Sequence, residues 1–174
     1  MEVFIIAALS ADGYIARREN DRALDWTSRE DTRFFVKKSR EADALVMGTK
    51  TLATVRHAMS DITVYAWTSN PEKVHDFTPV HIKAVSGSPA DIIAQAERDG
   101  LSSLAICGGS SVYTQFMQSG LVNRIILTIE PIIFGAGLPL FTEPVVARLH
   151  LNEFHNLSDQ VKAFEYEVEY DSQV

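Results

Sequence analysis

The chain alternates short, strongly apolar segments with segments whose apolar spacing is helical, and this alternation most constrains its fold. The apolar segments read VFIIAAL, ALVMG, ITVYAW, VHIKAV, SLAIC and RIILTIEPII. Helical patterns over residues 29–41, 90–98 and 111–118 separate several of them. Strands that are apolar on both faces and are separated by helices predict an α/β fold with a mainly parallel sheet flanked by helices.

The C-terminal part has a different pattern. RLHLNEF and VKAFEYEVEY alternate in character and are joined by HNLSD, which predicts an antiparallel hairpin at the edge of a mixed sheet. The length of 174 residues and the 46% hydrophobic content fit a single domain over residues 1–174.

Composition excludes several classes of function. The net charge is −7 and no Lys/Arg block is present, so we expect neither nucleic acid nor a membrane surface as a partner. Cys107 is the single cysteine, and the five histidines show no ligand spacing, so no disulfide and no metal are predicted. No signal peptide or membrane span is recognisable, which predicts a cytoplasmic protein.

Two consecutive glycines follow an apolar strand in CGGSSVYTQF, where a helix is predicted to begin. Glycine is costly in backbone entropy, so either a tight turn or a closely approaching ligand must require it. Backbone N–H groups at a helix N-terminus bind phosphate, but a plain strand-to-helix turn explains the same residues. Both interpretations stay open on this feature alone.

Two other strands end in a similar way, with MGTKT at residues 47–51 and WTSN at residues 67–70. Ligands of α/β sheets bind at the carboxyl ends of strands. Each segment alone is explained as a helix cap. Three such ends in one sheet predict a long polyphosphate ligand such as a dinucleotide.

Five segments, in this order, resemble the dihydrofolate reductase superfamily: IIAALSADGYIA, WTSREDTRFF, VMGTKT, GGSSVYTQF and LTIEP. The second resembles the Trp-x4-Asp-x2-aromatic-Phe segment that carries the active-site carboxylate. The fourth resembles a Gly-Gly segment with a cis peptide bond beside the cofactor. The resemblance implies NADPH as the hydride donor.

EPIIFGAGLPLF and SADGYIA resemble one branch, the reductase domain of the riboflavin pathway, which is joined to a deaminase in bifunctional enzymes. This branch implies reduction of a C=N bond in a heterocyclic metabolite, most similar to a 5-amino-6-(5-phosphoribosylamino)uracil reductase. It also implies a homodimer, and the two C-terminal strands offer an edge that needs covering. The chain is too short for a deaminase and lacks its zinc-binding cysteines, so a stand-alone reductase is expected.

The resemblance implies roles for individual residues. Asp31 and Thr128 are the expected catalytic pair. The expected cofactor-binding residues are Ala8, Ile15, Gly48, Thr49, Lys50, Thr51, Thr68, Ser69, Gly108, Gly109, Ser110, Ser111, Val112 and Tyr113. The expected substrate-binding residues are Trp26, Phe34 and Phe35.

Asp31 has two interpretations. Reduction of a C=N bond needs a proton on nitrogen, and a carboxyl in apolar surroundings can supply it because its pKa is raised. Asp31 shares a helix face with Phe34 and Phe35, which predicts such surroundings. Alternatively, Ser28 and Asp31 form a capping box at the start of the helix. The resemblance favours the catalytic role, with Glu30 as a substitute proton donor.

The chain departs from the superfamily at two positions. The arginine that grips the glutamate tail of folate is replaced by SDIT, whose Asp61 would repel that tail, so folate is disfavoured. Thr49 stands where the cofactor motif has arginine, which removes a bidentate partner of the 2′-phosphate, although Lys50 and the neighbouring hydroxyls can replace it. We expect NADPH rather than NADH. A dihydrofolate or other pterin reductase and a non-catalytic NADPH-binding protein stay open.

Overall fold

The computed structural model describes residues 1–55, 62–74 and 81–170. Its strands are β1 (Glu2–Ser10), β2 (Tyr14–Ala16), β3 (Ala44–Gly48), β4 (Thr63–Trp67), β5 (Ile82–Val85), β6 (Ser103–Ile106), β7 (Arg124–Glu130), β8 (Leu138–Pro139), β9 (Arg148–Asn156) and β10 (Lys162–Glu169). Eight form one sheet in the order β5-β4-β3-β6-β1-β7-β10-β9. The first six strands of this order, β5-β4-β3-β6-β1-β7, are parallel to one another. Strand β10 runs antiparallel to both β7 and β9.

The described α-helices are α1 (Arg29–Ser39), α2 (Thr49–Val55), α3 (Pro89–Arg98) and α4 (Ser110–Gln118). Short 3₁₀ helices lie at Ala23–Asp25 and Pro71–Val74. The predicted α/β fold, with its mainly parallel sheet and antiparallel C-terminal hairpin, is confirmed. Helix α2 was not among the helices predicted from the sequence. No helix of the described residues is long and apolar enough to cross a membrane.

The central strands are buried on both faces, and alternate residues supply two separate cores. In β1, Val3, Ile5 and Ala7 join one core, while Phe4 and Ile6 join the other. Helices α3 and α4 contribute to the first core, and α1 and α2 contribute to the second. The nearly continuous apolar composition of the strands follows from this two-sided cover.

The loops after β1 and β7 are tied together. The carboxylate of Asp12 accepts hydrogen bonds from the backbone N–H of Phe134 at 3.1 Å and of Gly135 at 2.7 Å. Strands β2 and β8 pair beside this contact. A Cβ on Gly137 would lie 2.3 Å from the carbonyl oxygen of Ala16, so the pairing requires glycine there. Together these contacts hold a wall beside the carboxyl ends of the parallel strands.

Candidate active site

A cavity of about 880 Å³ lies at the carboxyl ends of the parallel strands. Most of the residues that the sequence assigns to a ligand line this cavity. They are Ala8, Ile15, Asp31, Phe35, Gly48, Thr49, Lys50, Thr51, Thr68, Ser69, Gly108, Gly109, Ser110, Ser111, Val112 and Tyr113. The three strand ends singled out by the sequence, after β3, β4 and β6, therefore open into one space.

The consecutive glycines lie between β6 and α4, and the peptide bond that joins them is cis. Gly108 has a φ of +106°, and a Cβ there would lie 3.0 Å from the phenol oxygen of Tyr113. A Cβ on Gly109 would lie 3.3 Å from Oγ1 of Thr51. The hydroxyl of Tyr113 is fixed in turn, because it donates to the carbonyl oxygen of Ile6 at 2.9 Å. Gly108 is thus required by the local packing, and Gly109 brings bare backbone to the cavity.

Part of the cavity lining carries groups that attract anions. Helix α4 begins beside it at Ser110, and the first N–H groups of a helix have no acceptor within the helix. Arg18 and Lys50 are the cationic residues among the described lining residues. The ammonium group of Lys50 lies 3.3 Å from a carboxylate oxygen of Glu19, and both side chains are exposed. Such a pair is weak in water, so Lys50 is available to an anionic ligand.

Asp31 lies on α1 with only 6% of its surface exposed. Burial raises the pKa of its carboxyl from an ordinary value of 3.8 to about 6. The negative charge of Glu130 adds to this rise, while hydrogen bonds with Thr128 and Thr27 oppose it. Asp31 thus keeps its proton to a higher pH than an exposed carboxyl, and it does so at the cavity wall.

The capping box predicted at the start of α1 is only half formed. The backbone N–H of Asp31 donates to Oγ of Ser28 at 3.1 Å. The reciprocal bond does not go to Asp31: Ser28 donates both its N–H and its O–H to Oε1 of Glu130, at 2.8 and 2.7 Å. The carboxyl of Asp31 is therefore not the cap. Glu30, the other candidate donor, is 38% exposed and pairs with Arg33.

The sequence of this chain is similar to those of known proteins. The profile of the RibD C-terminal domain family matches residues 59–163, more than half of the chain. The chain belongs to this family. The resemblance to the riboflavin-pathway branch of the dihydrofolate reductase superfamily is thereby confirmed. The uncharacterized protein YwjB of Bacillus subtilis (strain 168) is 26% identical over 144 residues, covering 78% of this chain and 80% of that protein.

Solved structures extend the comparison. A Shewanella sp. PV-4 protein with a provisional riboflavin-biosynthesis name has a TM-score of 0.75 and 26% identity, with 98% of this chain and 100% of that chain covered. A Thermotoga maritima deaminase/5-amino-6-(5-phosphoribosylamino)uracil reductase also scores 0.75, at 16% identity over 96% of this chain and 56% of that chain. Dihydrofolate reductase from Enterococcus faecalis, complexed with NADP(H), scores 0.68 at 22% identity, covering 98% and 97%. The last two likenesses show the fold.

Three of the residues assigned from the sequence do not line the cavity. Thr128 lies on β7 and is only 2% exposed, and its side chain forms a hydrogen bond with the carboxyl of Asp31. Phe34 belongs to the core and packs its ring 4.8 Å from that of His155. Trp26 packs edge-on against Phe134, with ring centroids 5.0 Å apart. Of the three expected substrate-binding aromatics, the structure thus brings only Phe35 to the cavity.

The sequence did not identify several residues of the site. Thr27 and Glu130 surround Asp31, and Arg18 supplies a second cation. Glu130 lies in the LTIEP segment, and an acidic residue within an otherwise apolar strand is a signal that could have identified it. Arg18 lies in no recognisable motif. Asp61, the proposed obstacle to folate, lies outside the described residues.

One group of potential metal ligands occurs among the described residues: Glu153, His155 and Glu165, whose ligand atoms lie within 4.8 Å of one another. These residues are not part of the cavity lining. The buried carboxylate of Glu165 already pairs with Lys38 at 2.5 Å and with Arg124 at 2.8 Å. Its charge is therefore compensated by protein cations, and we assign no metal to it.

Proposed function

We propose that this RibD C-terminal domain is an NADPH-dependent oxidoreductase that reduces a C=N bond in a heterocyclic metabolite of the 5-amino-6-(5-phosphoribosylamino)uracil type. The observation that carries the proposal is the placement of one buried carboxyl, whose pKa is raised by burial, on the same cavity as three polar or glycine-bearing strand ends. The named activity of the Thermotoga maritima neighbour supports the choice of substrate class.

The residues of the cavity fit a dinucleotide. The bare backbone at Gly108–Gly109 and the start of α4 suit a diphosphate, because N–H groups at a helix N-terminus favour anions. The hydroxyls after β3 and β4, together with Lys50 and Arg18, suit the 2′-phosphate. Ala8, Ile15 and Tyr113 form the apolar part expected around the nicotinamide. When bound, NADPH supplies the hydride.

The chain itself supplies the proton. The O–H of the Asp31 carboxyl donates to the substrate nitrogen, and the carboxylate that remains is protonated again from water. Thr128 and Thr27 hold the carboxyl by hydrogen bonds, which fixes the direction of the donated proton. Because the acid form is the active one, the rate should fall as the pH rises through about 6.

A turnover assay tests this function. Consumption of NADPH is followed with a ribosylaminopyrimidine substrate, with dihydrofolate and without substrate. Turnover of the pyrimidine supports the proposal, whereas efficient turnover of dihydrofolate would replace it with a folate reductase. NADPH binding without turnover of either compound would favour a non-catalytic NADPH-binding protein. We further infer that the protein acts in the cytoplasm as a homodimer.

A further inference from the structure

Glu130 is an acidic side chain whose position the proposed chemistry does not explain. It ends β7 and is only 3% exposed. Its Oε1 accepts both hydrogen bonds that Ser28 donates, from a position 102 residues further along the chain. A buried carboxylate at the first turn of α1 is stabilised by these bonds and by the positive end of the helix dipole.

Helix α3 shows what the same local sequence does without such a residue. It begins with Ser88 and Asp91, which have the spacing of Ser28 and Asp31. Ser88 donates its N–H and its O–H to Oδ2 of Asp91, at 2.8 and 2.7 Å, and the capping box is complete. These bonds lower the pKa of Asp91. In α1, the corresponding N–H and O–H groups of Ser28 donate to Glu130 instead.

We propose that Glu130 is a positioning residue: by accepting both hydrogen bonds of Ser28, it keeps Asp31 out of the capping box and leaves its carboxyl to Thr27, Thr128 and the cavity. Only the catalytic consequence rests on the proposed function. The arrangement of the carboxyls is a property of the folded chain.

Among residues 1–55, 62–74 and 81–170, the charged and titratable groups that face Asp31 are Glu130 from β7 and Tyr113 from α4. Burial raises the pKa of Tyr113 well above its ordinary value, so its phenol stays neutral at the pH values of interest. Glu130 therefore provides the negative charge that opposes ionisation of Asp31. It acts twice, by occupying the cap and by repelling a second negative charge.

Two substitutions separate these actions. Glu130→Gln keeps an acceptor for Ser28 but removes the charge, and Glu130→Ala removes both. Glu30→Gln is the matched control, because it removes one charge from the neighbouring position of α1, where the side chain is partly exposed and pairs with Arg33. The readout is a ¹³C NMR titration of the aspartate carboxyls, in which the signal lost in Asp31→Asn assigns Asp31.

In the unmodified protein, Asp31 should titrate near pH 6. In Glu130→Gln the midpoint should fall by about half a pH unit or more. In Glu130→Ala, Asp31 should close the capping box, and its pKa should fall below the ordinary value of 3.8, as that of Asp91 does. Glu30→Gln should leave the midpoint unchanged. A midpoint in Glu130→Ala that does not fall below the midpoint of Glu130→Gln would overturn the proposal. If Glu130→Ala does not fold, Glu130→Leu, which also offers Ser28 no acceptor, takes its place.

Activity gives a second, separable readout. Glu130→Ala should lower kcat at neutral pH by about tenfold or more and leave NADPH titration unchanged, since Asp31 no longer faces the cavity. If the unmodified protein turns over no substrate, the proposed function fails, while the NMR midpoints still decide the role of Glu130. Full turnover by Glu130→Ala together with an unchanged midpoint would refute the positioning role.

Discussion

Substituting Asp31 by Asn should make the protein more stable and less active. The folded chain holds the pKa of this buried carboxyl near 6, against an ordinary value of 3.8. That gap corresponds to about 3 kcal/mol of folding free energy. At about pH 3 and below, under the ordinary pKa of 3.8, the carboxyl is protonated in both the folded and the unfolded chain, so it costs nothing. As the pH rises from about 3 through 6, the unfolded chain ionises first, and the folded state loses stability until both forms are ionised.

Asp31→Asn has no carboxyl to ionise, so it should be more stable than the unmodified protein at pH 8, by up to about 3 kcal/mol. The difference should vanish near pH 3, where the carboxyl is protonated in both states. Urea unfolding across this pH range measures it. The kcat of the variant should fall by about 10²–10⁴-fold, while NADPH titration stays nearly unchanged.

Asp91→Asn in α3 is the matched control, because Asp91 occupies the same position in a Ser-x-x-Asp segment. Hydrogen bonds from Ser88 lower the pKa of Asp91, so its contribution to stability is present at neutral pH and is lost as the pH falls. This variant should therefore be less stable at pH 7, with the difference disappearing in acid. The two variants should show opposite pH dependence.

One result would refute this reasoning. If Asp31→Asn were less stable at pH 8, by the roughly 1 kcal/mol of a damaged cap, and kept full turnover, Asp31 would be structural. The proton would then have to come from elsewhere, such as water held by Thr128.

The remaining predictions concern cofactor, substrate and assembly. Saturating NADPH should quench tryptophan fluorescence or raise Tm. Gly109→Leu should abolish this response while its circular dichroism stays native, because the leucine side chain would enter the cavity. No response of the unmodified protein to NADPH or NADH would contradict the cofactor assignment. Dihydrofolate should be turned over weakly or not at all, since Asp61 stands in place of the tail-binding arginine, and efficient turnover at micromolar substrate would show otherwise. Light scattering should give a homodimer, because β9 exposes Leu149, Leu151 and Phe154 at 41%, 58% and 50%; a 19.3 kDa species alone would count against it.

Much of the fold could be predicted from the sequence, because long strands in a doubly covered sheet are apolar at nearly every position. Short elements could not. Helix α2 has only seven residues, several of them β-branched, so its pattern is not distinctly helical. The β2–β8 pair depends on the close approach of Gly137 to Ala16, which joins distant parts of the chain. Such contacts leave no local periodicity.

The candidate site was predictable where a strand end carries its own motif. The glycines after β6 and the hydroxyls after β3 and β4 fall in this class. Helical spacing predicted that both Phe34 and Phe35 share the cavity-facing side of α1 with Asp31. However, consecutive residues on a helix point about 100° apart. Only Phe35 reaches the cavity, while Phe34 enters the core. Glu130 was missed because its role is defined by its contact with Ser28, which no local pattern reveals.

The position of β1 has a consequence for synthesis of the chain. Of the described strands, β1 leaves the ribosome before the others, yet its neighbours in the sheet are β6 and β7, with Glu2 opposite Ser103 and Phe4 opposite Arg124. Its apolar residues therefore have no strand partner until most of the chain has been made. Formation of the central sheet waits for these distant pairings, which slows folding. Nascent chains that end before Ser103 should aggregate or recruit chaperones, whereas chains extended past Glu130 can bury β1 between its two partners.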